Sequence, residues 1–240
     1  MSVSLEWKKV RRTGFLMTFI SGSILVAAVP VVNMVVRSER YLAQQGTSIQ
    51  VLLGANWQMM AMCNVLLVVV GACLLYHIEY ADNAMQKMKS IPIREGSIFF
   101  GKVSLTIFMS VFVLVIEAGA IAFCSYRWFA IGNDFWSELC KNFGYAFLLM
   151  LPCIILSLLI SEVCKNMWIP LGIGVVCVFT ATMLPTNNFI LSLFPYAIPF
   201  QIFAGTDTVQ VMHYSCMAVA ELIVLGLLEL IVVRVRRLFE

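Results

Sequence analysis

Six long apolar runs punctuate this 240-residue chain: Gly14–Val36, Trp57–Tyr76, Phe99–Phe123, Phe143–Val163, Trp168–Leu184 and Ser215–Val233. About 20 apolar residues in an α-helix cross the hydrocarbon core of a bilayer, and each run lies near that length. Only helices and closed barrels satisfy their backbone polar groups inside lipid. The runs therefore predict an all-α integral membrane protein with six transmembrane helices, one membrane domain over residues 1–240. The composition agrees: 61% of residues are hydrophobic and 12% charged, where a soluble domain carries about a quarter charged residues. A soluble enzyme and a disordered chain are excluded. The net charge of +3 is too small and too dispersed for a nucleic-acid partner. The fifth run is the shortest and carries Gly172 and Gly174. The first run is expected to be retained, being longer than a signal-peptide core and followed by Arg37 and Arg40 rather than an A-x-A site.

Lys and Arg gather on the cytoplasmic side of membrane proteins. Lys8, Lys9, Arg11 and Arg12 precede the first run; Lys87, Lys89, Arg94 and Lys102 follow the second. Lys165 follows the fourth run, and Arg234, Arg236 and Arg237 follow the sixth. The opposite face holds Arg37, Arg40, Arg127 and Lys141. Twelve of the 16 cations thus predict cytoplasmic termini in a multi-pass protein of a bacterial cell membrane.

The connections between runs are too short for a soluble catalytic domain. Gly96–Val103 approaches the phosphate-loop pattern but ends on Val103, which has no hydroxyl for magnesium, and follows no strand. Lys102 is expected instead to snorkel at the inner end of the third span. None of the eight cysteines forms a C-x-x-C pair, so no metal site is expected. Cys124 and Cys140 flank one outer loop and are read as free thiols, although the spacing admits a bridge. No Ser-His-Asp set or H-E-x-x-H motif is present, and His77 and Glu79, two residues apart, turn away from each other on a helix. Catalytic residues and a cofactor on this chain are not expected.

Two amphipathic segments stand on the cytoplasmic side. Ser2–Arg12 places Val3, Trp7 and Val10 on one face, with Lys8, Lys9, Arg11 and Arg12 elsewhere, a composition suited to an anionic lipid surface. Tyr80–Ile91 places Ala81, Ala84, Met85, Met88 and Ile91 on one helical face and Asp82, Asn83, Gln86, Lys87 and Lys89 on the other, and Pro92 ends it. Spacing alone admits either an interfacial helix or a docking helix whose methionines adapt to a partner's groove.

The basic stretch Glu6-Trp7-Lys8-Lys9-Val10-Arg11-Arg12 runs directly into the first span. It is followed by Tyr76-His77-Ile78-Glu79-Tyr80, Lys87, Ile91-Pro92-Ile93 and Lys102, and by a Pro-rich outer segment before the last span. In this arrangement the chain resembles the permease subunits of type-2 ABC exporters, most closely those of lantibiotic-immunity transporters. The resemblance implies a separate cytoplasmic ABC ATPase, in two copies, that binds ATP and magnesium. It implies a second permease subunit, similar or identical. It also implies that Glu79–Lys89 is the coupling helix, with Glu79, Asp82, Met85, Gln86, Lys87, Met88 and Lys89 meeting the ATPase. Trp7, Lys8, Lys9, Arg11 and Arg12 would then belong to a connecting helix on the membrane surface.

Pro185–Tyr214 is aromatic and apolar, with Pro185, Pro195 and Pro199 breaking any full span and Asp207 its only charge. It is expected to re-enter the outer leaflet under cover of protein; the resemblance places two short external helices here. Carboxylates inside spans need a reason. Glu117 and Glu221 each lie six residues from the outer end of their run, about 9 Å deep on helices rising 1.5 Å per residue. One reading has both facing a cavity that attracts a cationic substrate; the other has each neutralised or hydrogen-bonded to a neighbouring helix. Glu229 lies nearer Arg234 and Arg236, as an ion pair would require. The function expected is the permease of an ATP-driven exporter that removes a lantibiotic or similar antimicrobial peptide from the membrane. Alternatives are export of a drug or other small molecule, an intramembrane enzyme, and an accessory subunit.

Overall fold

An α-helix bonds its own backbone, so each apolar run can leave water without orphaning an amide. The computed structural model describes residues 7, 9–11, 13–80, 95–129, 131–164, 166–184 and 192–239, with side chains described except at 79–80, 95–97, 233 and 235–239. Among these residues there are six α-helices and no strand. They are α1 (Phe15–Leu42), α2 (Ser48–Tyr80), α3 (Glu95–Trp128), α4 (Phe135–Val163), α5 (Trp168–Met183) and α6 (Thr208–Phe239), with a 3₁₀ turn at Ile198–Phe200. All but α5 are long and apolar enough to cross a membrane.

The fifth run departs from expectation. α5 has 16 residues, about 24 Å of helix, which falls short of the ~30 Å hydrocarbon core. It ends at Leu184, whose backbone is extended, just before Pro185; a residue preceding proline is pushed out of the helical region. The other helices exceed their apolar runs. α2 and α3 have 33 and 34 residues, roughly 50 Å each, and their adjoining ends flank residues 81–94, which lie outside the described residues. Gly96–Val103 is helical backbone within α3, not a phosphate loop.

Contacts fix the directions. Gly22 meets Leu67, Phe19 meets Gly71, and Asn33 bonds Asn56, so α1 and α2 run antiparallel. Asn64 pairs with Glu117 and Tyr76 with Lys102, so α2 and α3 do too. Trp57 meets Phe143 edge-on, Cys73 meets Ser161 and Tyr76 meets Glu162, so α2 and α4 are parallel. The starts of α2, α4 and α6 meet around one groove. They define a far end of the bundle; α1 begins and α6 finishes at the opposite, near end.

α2 is the hub. It touches α1, α3, α4 and α5, and 61% of its membrane-length window is buried, against 17% for α6. α6 and α1 instead expose apolar side chains such as Met17, Leu25, Val35, Leu227 and Leu230, a surface suited to lipid. Small residues allow the close approaches. A Cβ on Gly174 would sit 2.3 Å from a Val69 methyl, whereas one on Gly172 would meet nothing within 4 Å. Val69 is β-branched and cannot easily turn aside. Gly174→Ala is therefore expected to lower stability in detergent by about 1–3 kcal/mol through overpacking, with Gly172→Ala close to neutral; thermal melts of the two variants check this.

Candidate functional site

At the far end a cavity of about 390 Å³ opens between α2, α4 and α6, lined by Gln50, Glu138, Asn142, residues 203–206 and the first turn of α6. Glu138 is its carboxylate. Asn142 builds the rim. Its amide Nδ2 donates to the Glu138 carbonyl at 2.8 Å, and its Oδ1 accepts the Ala204 N–H at 2.9 Å. Gly205 follows at φ +79°, a left-handed turn that favours glycine.

The chain before α6 folds inward from this rim. The Trp57 indole N–H donates to the Pro199 carbonyl at 3.1 Å. Tyr196 is buried, its hydroxyl 3.1 Å from Ser157 Oγ on α4. Ser192 Oγ lies 2.9 Å from the Tyr214 hydroxyl, and Ile198 packs with Tyr145, Leu149, Tyr214 and Ala218. Residues 185–191 lie outside the described residues.

Neither Glu117 nor Glu221 lines this cavity. Because α3 continues to Trp128 and α6 begins at Thr208, both carboxyls lie deeper than the apolar runs suggest, roughly 16–20 Å from the far ends of their helices. Glu117 is fully buried and its Oε2 accepts Asn64 Nδ2–H at 3.1 Å across the α2–α3 contact. Glu221 is half-buried on α6, and its Oε2 has no hydrogen-bond partner. No hydrogen bond or ion pair joins the two.

At the near end Lys102 is fully buried, not snorkelling. Its ammonium lies 4.6 Å from the centre of the Tyr76 ring, whose hydroxyl donates to Glu162 Oε2 at 3.4 Å. The aromatic face offers this buried cation part of what water would otherwise supply. Glu229 is also buried. Trp7 and Val10 form a helical turn ahead of α1, with Trp7 edge-on to Phe108 and Val10 buried. Lys9 is half-buried and Arg11 exposed, whereas Lys8 and Arg12 lie outside the described residues. Glu79 belongs to the last turn of α2 without a described side chain, and Asp82, Met85, Gln86, Lys87, Met88 and Lys89 lie outside the described residues. Cys124 is buried and Cys140 exposed, both as free thiols.

Residues 2–181 match the family described as ABC-2 family transporter protein. The chain belongs to that family. No curated protein and no solved structure matches. The ABC-2 protein is accordingly a membrane permease of an ABC transporter, the transporter's membrane subunit and not its catalytic one, and membership implies association with an ABC ATPase.

The carboxylates and the basic segments of this permease are visible as charges in its sequence. Asn64, Asn142 and Tyr76 carry no charge, and the charges of Glu162 and Glu138 do not by themselves mark a buried or groove-lining position. An amide inside an apolar run is itself a signal, because burying it without a partner is costly, and Asn64 stands at the centre of the second run. Glu162 and Glu138 occupy the two ends of α4, where a carboxylate reads as solvated. The Asn142 bridge makes a measurable claim. Asn142→Leu removes the acceptor of the Ala204 amide, so hydrogen exchange at Ala204 should quicken by about tenfold, with little change at amides inside α4.

Proposed function

We propose that this ABC-2 permease exports a cationic, membrane-seeking peptide of the lantibiotic kind, protecting the cell that carries it. The reading is supported by where carboxylates meet an apolar surround: Glu138 in the far-end groove and Glu221 on the lipid-facing helix α6. A cationic amphipathic peptide matches both properties, its charges meeting carboxylates and its apolar side chains staying in hydrocarbon. On this reading the far end is the outer one and the termini are cytoplasmic. Residues 192–206 re-enter the outer leaflet as a wall of the groove, completing the path that α5 leaves short.

ATP and magnesium bind a partner ATPase, present in two copies, and a second permease subunit completes the pathway. The coupling helix is Glu79–Lys89, where α2 finishes and before α3 begins. The N-terminal turn around Trp7 is part of a connecting helix on anionic lipid. Among substrates, a neutral drug would make no use of Glu138 and Glu221.

Two measurements test this. In a peptide-survival assay at matched expression, Glu138→Gln and Glu221→Gln together should lower protection by on the order of tenfold; full protection would remove the cationic-peptide reading. On co-expression with its neighbouring genes, the wild-type chain should recover an ATPase stoichiometrically, and Met85→Asp or Met88→Asp should cut that recovery by about tenfold or more, as expected for a buried hot spot.

A further inference from the structure

The pairing of Asn64 with Glu117 is half complete in a specific way. Asn64 Nδ2–H donates to Glu117 Oε2. The other oxygen of each group, Glu117 Oε1 and Asn64 Oδ1, is buried and has no partner. Both residues are essentially inaccessible, at 0% and 2% exposure. An ionised carboxylate only accepts, and so does an amide oxygen. With Glu117 ionised, two buried acceptors would stand with no donor between them, closed off from solvent. No lysine, arginine or histidine among the described residues faces Glu117 to balance a charge. The titratable side chain within electrostatic reach is the Cys63 thiol beside Asn64 on α2.

One proton would supply the donor that both orphaned oxygens lack. Placed on Oε1, it turns that oxygen into a donor, and Asn64 Oδ1 is the acceptor that lacks one. The two groups then close a ring of two hydrogen bonds, as a carboxylic acid and a primary amide do in an apolar solvent. We propose that Glu117 holds a resident proton and forms with Asn64 a neutral carboxyl–carboxamide clamp between α2 and α3. The clamp stands at the central residue of α2, one end of which is tied again to α3 by Lys102 over Tyr76. With two ties, at Asn64–Glu117 and at Tyr76–Lys102, the pair moves as one body. Glu117 is thereby a positioning residue and leaves substrate attraction to other carboxylates. The inference is independent of the peptide reading and stands for any substrate.

The test uses the full-length permease in lipid nanodiscs at neutral pH. The infrared difference between wild type and Glu117→Gln should contain the carbonyl band of a hydrogen-bonded carboxylic acid, lost in the variant. A lost carboxylate band in its place would overturn the proposal. Glutamine retains the ring as an amide–amide pair, so Glu117→Gln should melt within about 2 °C of wild type and keep at least half of its transport. Asn64→Leu, which leaves the carboxyl unpartnered, should melt about 5 °C lower or more and shift the acid band to that of a free carboxyl. A Glu117→Gln variant that folds normally and loses transport would also overturn the clamp, because a charge would then be the working feature.

Discussion

Hydrocarbon supplies no hydrogen bonds, so a polar atom inside it is matched by the protein or left without a partner. Lipid tails are as apolar as leucine, and apolar packing alone gives a helix little reason to choose one neighbour over another. The polar side chains of α2 make that choice. Asn56 bonds Asn33 on α1, Asn64 bonds Glu117 on α3, and Cys73 and Tyr76 meet Ser161 and Glu162 on α4. Each match joins α2 to a neighbouring helix at one level only, so together they set register as well as proximity. Close packing at Gly22, Gly71 and Gly174 then follows from a register already set.

The helical class and the positions of five spans are legible in the sequence because apolar runs of hydrocarbon length have one solution in lipid. Their ends are less so. α2 begins at Ser48 and α6 at Thr208, well before their most apolar stretches, since tertiary contacts at the groove extend both helices through polar residues. α5 stops short because Pro185 forbids the helical conformation at Leu184, a local rule that a window of hydropathy averages away. Charge reads well at the surface and poorly inside. Lys102 looks like a snorkelling residue until the Tyr76 ring, distant in sequence, is seen beneath it. Glu117 looks like a lone carboxylate until Asn64 appears across the helix contact.

The two ends of the bundle are built differently. At the near end α2 finishes and α3 begins, and the Lys102 ammonium is buried against the Tyr76 ring. At the far end the helices open around a groove with one carboxylate, its rim pinned by an amide. α2, α4 and α6 each run from the groove to the near end, and α2 is joined to α3 at two levels.

The shortness of α5 has a consequence for how this protein tolerates change. A complete transmembrane helix keeps its backbone bonded whatever apolar side chains decorate it, so most substitutions there alter only packing. The chain that follows α5 holds its place through particular side chains, namely the Trp57 indole on the Pro199 carbonyl, the Asn142 amide on the Ala204 N–H and Ser157 against Tyr196. Those three anchors sit on α2 and α4, far in sequence from what they secure. Drift in α2 or α4 is therefore constrained at isolated positions, Trp57, Asn142 and Ser157, by a segment that neither helix adjoins in sequence.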